Sequence, residues 1–207
     1  VQTDAELAAD TAQLLLDVCA QRSFDRVSVD GQLSTNDTLA LICSGSSGVA
    51  VAPDGEDEAR FGEALDALLR GLAIMMVADG EGAQRIARVV VRGGQEQGTE
   101  AVARAIANSP LMKAALNGGD PNWGRIAQAA GAALPGSAPL ALDISIEGVQ
   151  VCVAGAAVEH DEQRLARAFR RPEVELEVGL PGEGADTEVY FSDLSHDYLR
   201  LNAEYTT

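Results

Sequence analysis

The sequence predicts a mixed α/β fold in which mixed β-sheets are covered by helices. Three observations predict it. Segments of helical period alternate with segments of strand period along the 207 residues. Phe61, Leu65, Leu68, Leu69, Leu72 and Met76 recur at helical spacing over about four turns, the clearest amphipathic element of the chain. Several strand segments are paired as hairpins, most plainly the two that flank Glu147-Gly148. Such a pattern is best satisfied by sheets with helices packed on them.

Each element follows in order. Thr3-Asp4-Ala5-Glu6 reads as a capping box, opening a helix with Leu7, Leu14, Leu15 and Val18 on one face and ending near Arg22-Ser23. Residues 26–30 alternate as a strand. Residues 34–38 (Ser34, Thr35, Asn36, Asp37, Thr38) form a polar cluster. It suits turn chemistry and equally a polar rim beside a site. Leu39 to Cys43 is an apolar run suited to a strand buried on both faces. Residues 44–48 close it as a loop. The long helix then runs out at Asp79-Gly80-Glu81-Gly82. The glycines there either end the helix beside an exposed acid or bend the backbone to hold Glu81 near another group. Ile86 to Val91 is a strand, Thr99 caps a helix through Ile106, and Asn108-Ser109-Pro110 breaks it. Leu111 to Leu116 is a further helical turn or two, on which Lys113 is assigned no role beyond pairing with an acid at a surface. The hairpin at Glu147-Gly148 joins residues 140–146 to 149–153. Asp161 to Arg170 is a helix with Leu165 and Phe169 inward. Val174, Leu176 and Val178 alternate, as do Val189 and Phe191, with Pro181-Gly182 as turn material between them. Residues 198–202 are read as one more strand.

Composition narrows the function. The chain holds 32 acidic residues against 15 basic ones, a net charge of −17. A nucleic-acid groove needs the opposite balance, so that class is set aside. Aromatic residues make up 4% of the chain, so the core must be built mainly of Ala, Val, Leu and Ile. Cys19, Cys43 and Cys152 are widely spaced in apolar runs, and with His160 and His196 they make no metal-type spacing. They read as small buried hydrophobes in a reducing cytosol, which places the protein in the cytoplasm. No apolar run reaches transmembrane length, and no signal-peptide pattern is seen. The length suits one globular unit or two small subdomains, with a boundary near residues 134–140.

The only Trp lies in Gly119-Asp120-Pro121-Asn122-Trp123-Gly124-Arg125-Ile126. Pro121 pushes Asp120 out of the α region, and Asn122 can cap a helix that follows. Two readings stay open: a turn pinning a helix to the core, or an anion-binding corner made by Arg125 and the first helical N–H groups. The stretch from Asp120 to Ile126 resembles a hallmark of the glutamate/ornithine N-acetyltransferase family of arginine biosynthesis. Val29-Asp30-Gly31 through Thr38 is similar to a second family segment. Asp193-Leu194-Ser195 through Asn202-Ala203-Glu204-Tyr205-Thr206-Thr207 is similar to a third. The three lie in family order and span nearly the whole chain.

The resemblance implies a four-layer α/β/β/α sandwich with two facing sheets. It also implies a precursor that cleaves itself before a threonine, with both products staying together. This chain would be the C-terminal, or β, product, its partner the α chain, and the assembly α2β2. The new terminal Thr attacks N-acetylornithine, ornithine leaves, and glutamate collects the acetyl group in a ping-pong reaction. That Thr is expected about five residues upstream of Val1, so no catalytic nucleophile is assigned within the chain, and the oxyanion donors belong to the α chain. At matched positions the resemblance makes Glu81, Asn202 and Thr207 substrate-contacting residues. No cofactor or metal is implied, and acetyl-CoA is left open as a second acetyl donor. The competing readings are a related self-processing hydrolase, aminopeptidase or acyltransferase acting on another acylated amine, and a non-catalytic chain of the same fold.

Overall fold

A computed structural model describes residues 1–134, 136, 140–184 and 186–205, with only the backbone of residues 96 and 97. The chain divides into two compact units, the first formed by residues 1–27 and 33–75, the second by residues 28–32 and those from 76 onward. The predicted boundary near 134–140 falls largely outside the described residues.

In the first unit, strand β1 (Gln2–Thr3) opens the chain and helix α1 (Ala9–Arg22) follows. The Thr3 capping box does not form. Parallel pairing with β3 (Ile42–Cys43) holds Gln2 and Thr3 extended, and the Thr3 hydroxyl accepts from the Ala5 N–H at 3.2 Å instead. The α1 face also differs from expectation, since Cys19 is buried while Leu14 and Val18 are exposed. A short strand, β2 (Val27–Ser28), is all that forms of the strand expected over residues 26–30. The apolar run at 39–43 is not a doubly buried strand either. Only its last two residues pair, and Ile42 is 56% exposed.

Helix α2 (Glu56–Ala78) is the long amphipathic element, and three acids in its first turn suit the helix dipole. Leu65, Leu69, Ala73 and Val77 are buried at every fourth position, whereas Leu68, Leu72, Met75 and Met76 are exposed. Leu65 and Leu69 join Cys19 in a small core, with Leu15, Leu16, Phe24, Leu39, Leu41 and Phe61 packed around it.

In the second unit the elements are β4 (Ile86–Arg92), α3 (Glu96–Ala107), α4 (Pro110–Gly118), α5 (Trp123–Ala133), β5 (Asp143–Ile146), β6 (Val149–Val153), β7 (Ala156–Ala157), α6 (Glu162–Ala168), β8 (Glu173–Gly179), β9 (Thr187–Ser192) and α7 (His196–Glu204). Among the described residues the seven-stranded sheet runs β2-β9-β4-β8-β5-β6-β7, Ser28 of β2 belonging to this unit. The predicted mixed α/β fold, helices with a large mixed sheet, is what forms. β4 pairs β8 in parallel and β9 antiparallel. Thus β8 and β9 flank β4 and do not make a hairpin with each other. At the β5–β6 turn Glu147 (φ 51°) and Gly148 (φ 69°) both take positive φ, the geometry of a tight primed turn.

The register explains the strand alternation. Val89 lies opposite Leu176 and Val189, and Ala87 opposite Val174 and Phe191. All six belong to one core with Val102, Ile106, Met112, Leu116 and Ile126 of the helices. On the other face Arg88 donates to Glu175 and Glu188, both at 2.7 Å.

Helix caps decide several boundaries. Ser109 accepts from the Met112 N–H, and Pro110 sits just inside α4. Thr99 is not a cap. It lies inside α3, buried, with its hydroxyl 3.2 Å from that of Thr187 on β9. The expected last strand is instead helix α7, capped by Ser195, whose hydroxyl accepts from the Tyr198 N–H at 3.0 Å. Among the described residues, no helix is long and apolar enough to cross a membrane.

The two α2 stripes make a direct test. Leu69 is 0% exposed and Leu68 is 48% exposed. Leu69→Ala should cost about 2–5 kcal/mol in denaturant unfolding, and Leu68→Ala less than about 1 kcal/mol. Equal losses would show that α2 is not packed through this stripe.

Candidate functional site

Three polar segments of the second unit meet around Asp193: the turn at residues 80–85, the end of α4, and the turn at 193–195 that leads into α7. The first begins where α2 ends, with the Gly80 N–H donating to Val77 O and the Ala83 N–H to Gly80 O. Gly82 takes φ +66°, and a Cβ there would come within 2.6 Å of the Tyr198 backbone nitrogen. Only a glycine lets this turn approach the first turn of α7 so closely.

That approach brings two of the predicted residues together. The Asn202 amide on α7 donates to Glu81 Oε2 at 2.7 Å, and to the Tyr198 carbonyl at 3.1 Å. Both side chains are exposed, so the carboxylate is oriented by a neutral donor yet open to a ligand. An oriented, accessible carboxylate is suited to a charge-assisted bond with an ammonium group. Thr207 lies outside the described residues.

Residues outside the predicted contact set complete the surroundings. The Tyr198 hydroxyl donates to Asp30 Oδ2 at 2.9 Å. Partial burial, the bond to Asp30 and the nearby charge of Glu81 push this phenol up to about 12. The Asp193 carboxylate accepts from the Gln84 backbone N–H at 3.0 Å and from the Asn117 amide at 2.7 Å. The Arg85 guanidinium donates to the carbonyls of Leu116 (2.9 Å) and Asn117 (3.2 Å), at the last turn of α4. There a cation also suits the helix dipole.

Lys113 is the largest departure from expectation. It is not a surface residue but 3% exposed. Its ammonium donates to the Ser192 carbonyl and lies 5.5 Å from the centre of the Phe191 ring. Burial pushes it down to about 8, against the opposing pull of Asp193 and Asp30. A signal was available in the sequence. The lone lysine sits one position after Met112 and three before Leu116, on the stripe that an amphipathic helix buries.

The Trp123 turn takes its structural reading. Asn122 accepts from the Arg125 N–H at 3.3 Å, and Trp123 packs partly buried against the main core. The Arg125 side chain donates to the Leu111 carbonyl at 2.6 Å, tying α5 to α4. The cluster at 34–38 is turn chemistry, with the Ser34 hydroxyl accepting from the N–H groups of Asn36 (3.1 Å) and Asp37 (3.2 Å).

The fold is shared with a solved protein. The crystal structure of the arginine biosynthesis bifunctional protein ArgJ from Bacillus halodurans superposes with a TM-score of 0.92 at 31% identity, covering 99% of this chain and 98% of that one. The ArgJ family model matches residues 1–207, and the chain belongs to that family. The arginine biosynthesis bifunctional protein ArgJ of Rhodopirellula baltica is 41% identical over 211 residues, which cover 100% of this chain and 52% of that protein. Its counterpart in Methylococcus capsulatus is 40% identical, again with 52% of its length covered. The chain thus spans about half the length of the curated relatives it matches.

Two outcomes are expected of this geometry. Gly82→Ala should displace α7, seen as faster hydrogen exchange across residues 196–204 with β4 unchanged; unaltered exchange would contradict the close approach. The second concerns pH. Unfolded, Lys113 stays charged up to its ordinary value of 10.5; folded, it loses its proton near 8. Between these values the unfolded state binds the extra proton, so the Lys113 contribution to stability rises with pH. Below about pH 8 both states are charged and the burial penalty is complete. The stability difference between wild type and Lys113→Met should therefore shift in favour of wild type on going from pH 7 to 10, by up to about 3 kcal/mol. Urea unfolding at the two pH values measures it, and a constant difference would refute the assignment.

Proposed function

We propose that this chain is the C-terminal, β, part of an ornithine/glutamate acetyltransferase that moves an acetyl group from N-acetylornithine to glutamate. The single observation that carries the reading is the Glu81–Asn202 contact. Two residues 121 positions apart, each matched by resemblance to a substrate-contacting residue, meet at 2.7 Å. The carboxylate would hold the free ammonium of the acetylated donor, and Asn202 would keep that carboxylate turned outward. Thr207 is proposed as a third contact.

The nucleophile would be a threonine upstream of Val1, exposed by self-cleavage. Its hydroxyl attacks the acetyl carbonyl while its own α-amine, with an ordinary pKa of about 7.7, takes the proton. Collapse of the tetrahedral intermediate expels ornithine, which leaves with that proton. The amine of glutamate then attacks the acyl-enzyme ester, and the threonine is regenerated. Residues of this chain contribute binding and orientation rather than bond-making.

The coverage supports the division into two chains. The solved Bacillus chain is matched over 98% of its length, whereas the full-length relatives are matched over about half. The upstream half would be the α chain, and the assembly α2β2. The cytoplasm is the proposed compartment, where the free thiols of Cys19, Cys43 and Cys152 remain reduced.

The test uses the full-length precursor. Glu81→Gln and Asn202→Ala should each raise KM for N-acetylornithine about tenfold or more, with kcat within about threefold. Removing residues 202–207 should raise KM further or abolish transfer. Wild-type KM in all three would end the proposal, and acetyl release to water in place of transfer to glutamate would favour a hydrolase.

A further inference from the structure

Lys113 and Asp193 are each 3% exposed. Burying a charge is costly unless it is paired and hydrogen-bonded, and an apolar residue on α4 would pack against the sheet at lower cost. The geometry shows what the charges do there. Asp193 is clamped between two elements: Oδ1 accepts from the Gln84 N–H at 3.0 Å, Oδ2 from Asn117 on α4 at 2.7 Å. Its own N–H donates to Arg85 O at 2.9 Å. Asn117 lies one turn beyond Lys113 on the same face of α4. The ammonium binds the carbonyl of Ser192, the residue before Asp193, and the Lys113 carbonyl accepts from the Leu194 N–H, the residue after it. The backbone on either side of Asp193 is thus held by Lys113, while the Asp193 carboxylate holds the Glu81 turn.

We propose that Lys113 and Asp193 are positioning residues of the acyl-donor site, a buried charge couple in which the ammonium keeps the Asp193 carboxylate in place and the carboxylate fixes the turn carrying Glu81. The proposal rests on the reading of Glu81 as a substrate contact. Neither residue touches the substrate. Only Gly82 and Ala83 separate Glu81 from the clamped Gln84 N–H, so a shift of the clamp moves the carboxylate away from Asn202.

A charge couple has a signature that independent residues lack. Removing one charge leaves the other buried without its counter-charge, while removing both relieves it. In the full-length enzyme, Lys113→Met and Asp193→Asn should each raise KM for N-acetylornithine about tenfold, with kcat within about threefold. The double variant should return to within about threefold of wild type. A purely structural loss would lower the active fraction, and so apparent kcat, without moving KM. Unchanged KM in the single variants, or a double variant equal to the product of the two, would overturn the proposal. Should the single variants fail to fold, Asn117→Ala removes one donor to Asp193 and keeps both charges. It should raise KM about threefold, and wild-type KM would overturn the proposal. Glu81→Gln serves as the control. If it leaves KM unchanged, the substrate reading has failed. The couple is then judged by hydrogen exchange at residues 81–86, which should accelerate in each single variant and recover in the double one. No acceleration would overturn it.

Discussion

Burial of the polar turn that follows β9 is the constraint on which much of the second unit depends. Ser192, Asp193 and Ser195 are all nearly inaccessible, yet each carries groups that water would otherwise satisfy. A buried polar group must find partners within the protein. Those partners come from four separate places. The Ser192 hydroxyl donates to Val29 O, Asp193 binds Gln84 and Asn117, Lys113 binds the Ser192 carbonyl, and Ser195 caps α7. Satisfying one short turn therefore fixes the 28–32 segment, the 80–85 turn, α4 and α7 relative to one another.

The accessible site lies beside that buried turn. Glu81 and Asn202 are exposed and their contact is a single hydrogen bond, which alone would contribute little. Its geometry is set from below. Gly82 admits the α7 backbone, Ser195 starts the helix, and Tyr198 ties the first turn to Asp30. α7 itself has no buried residue. A helix with so little apolar burial is held by its cap and polar ties, which leaves the Asn202 side chain exposed.

The acid excess is distributed along similar lines. On the polar face of the sheet, Arg88 bridges Glu175 and Glu188, and Arg92 meets Glu177 and Asp186. Opposite charges on neighbouring strands are mildly stabilising. Around the site the balance is otherwise: Asp193 and Asp30 act on one buried lysine, Arg85 is turned to the carbonyls that end α4, and the exposed Glu81 carboxylate is held by a neutral amide.

What could be read without coordinates was what local periodicity encodes. The mixed α/β class, α2, β4, the Glu147-Gly148 hairpin, the Asn122 cap and the alternation of β8 and β9 all follow from spacing of apolar residues and turn chemistry. Resemblance singled out Glu81 and Asn202. Short segments depart from local preference where tertiary contacts compete: Thr3 is drawn into a strand by β3, and α3 starts at Glu96, so Thr99 faces Thr187 from inside the helix. Residues 198–202 could not be told from a strand by alternation alone, because Ser195, three positions before Tyr198, decides it. Lys113 was read as a surface pair because charge normally stays in water. That it is buried, that Asp193 sits beside it, and that Glu81 meets Asn202 are consequences of contacts between segments more than seventy residues apart. Local sequence fixes backbone preference over a few residues, but only tertiary packing removes water from a charge and chooses its partner.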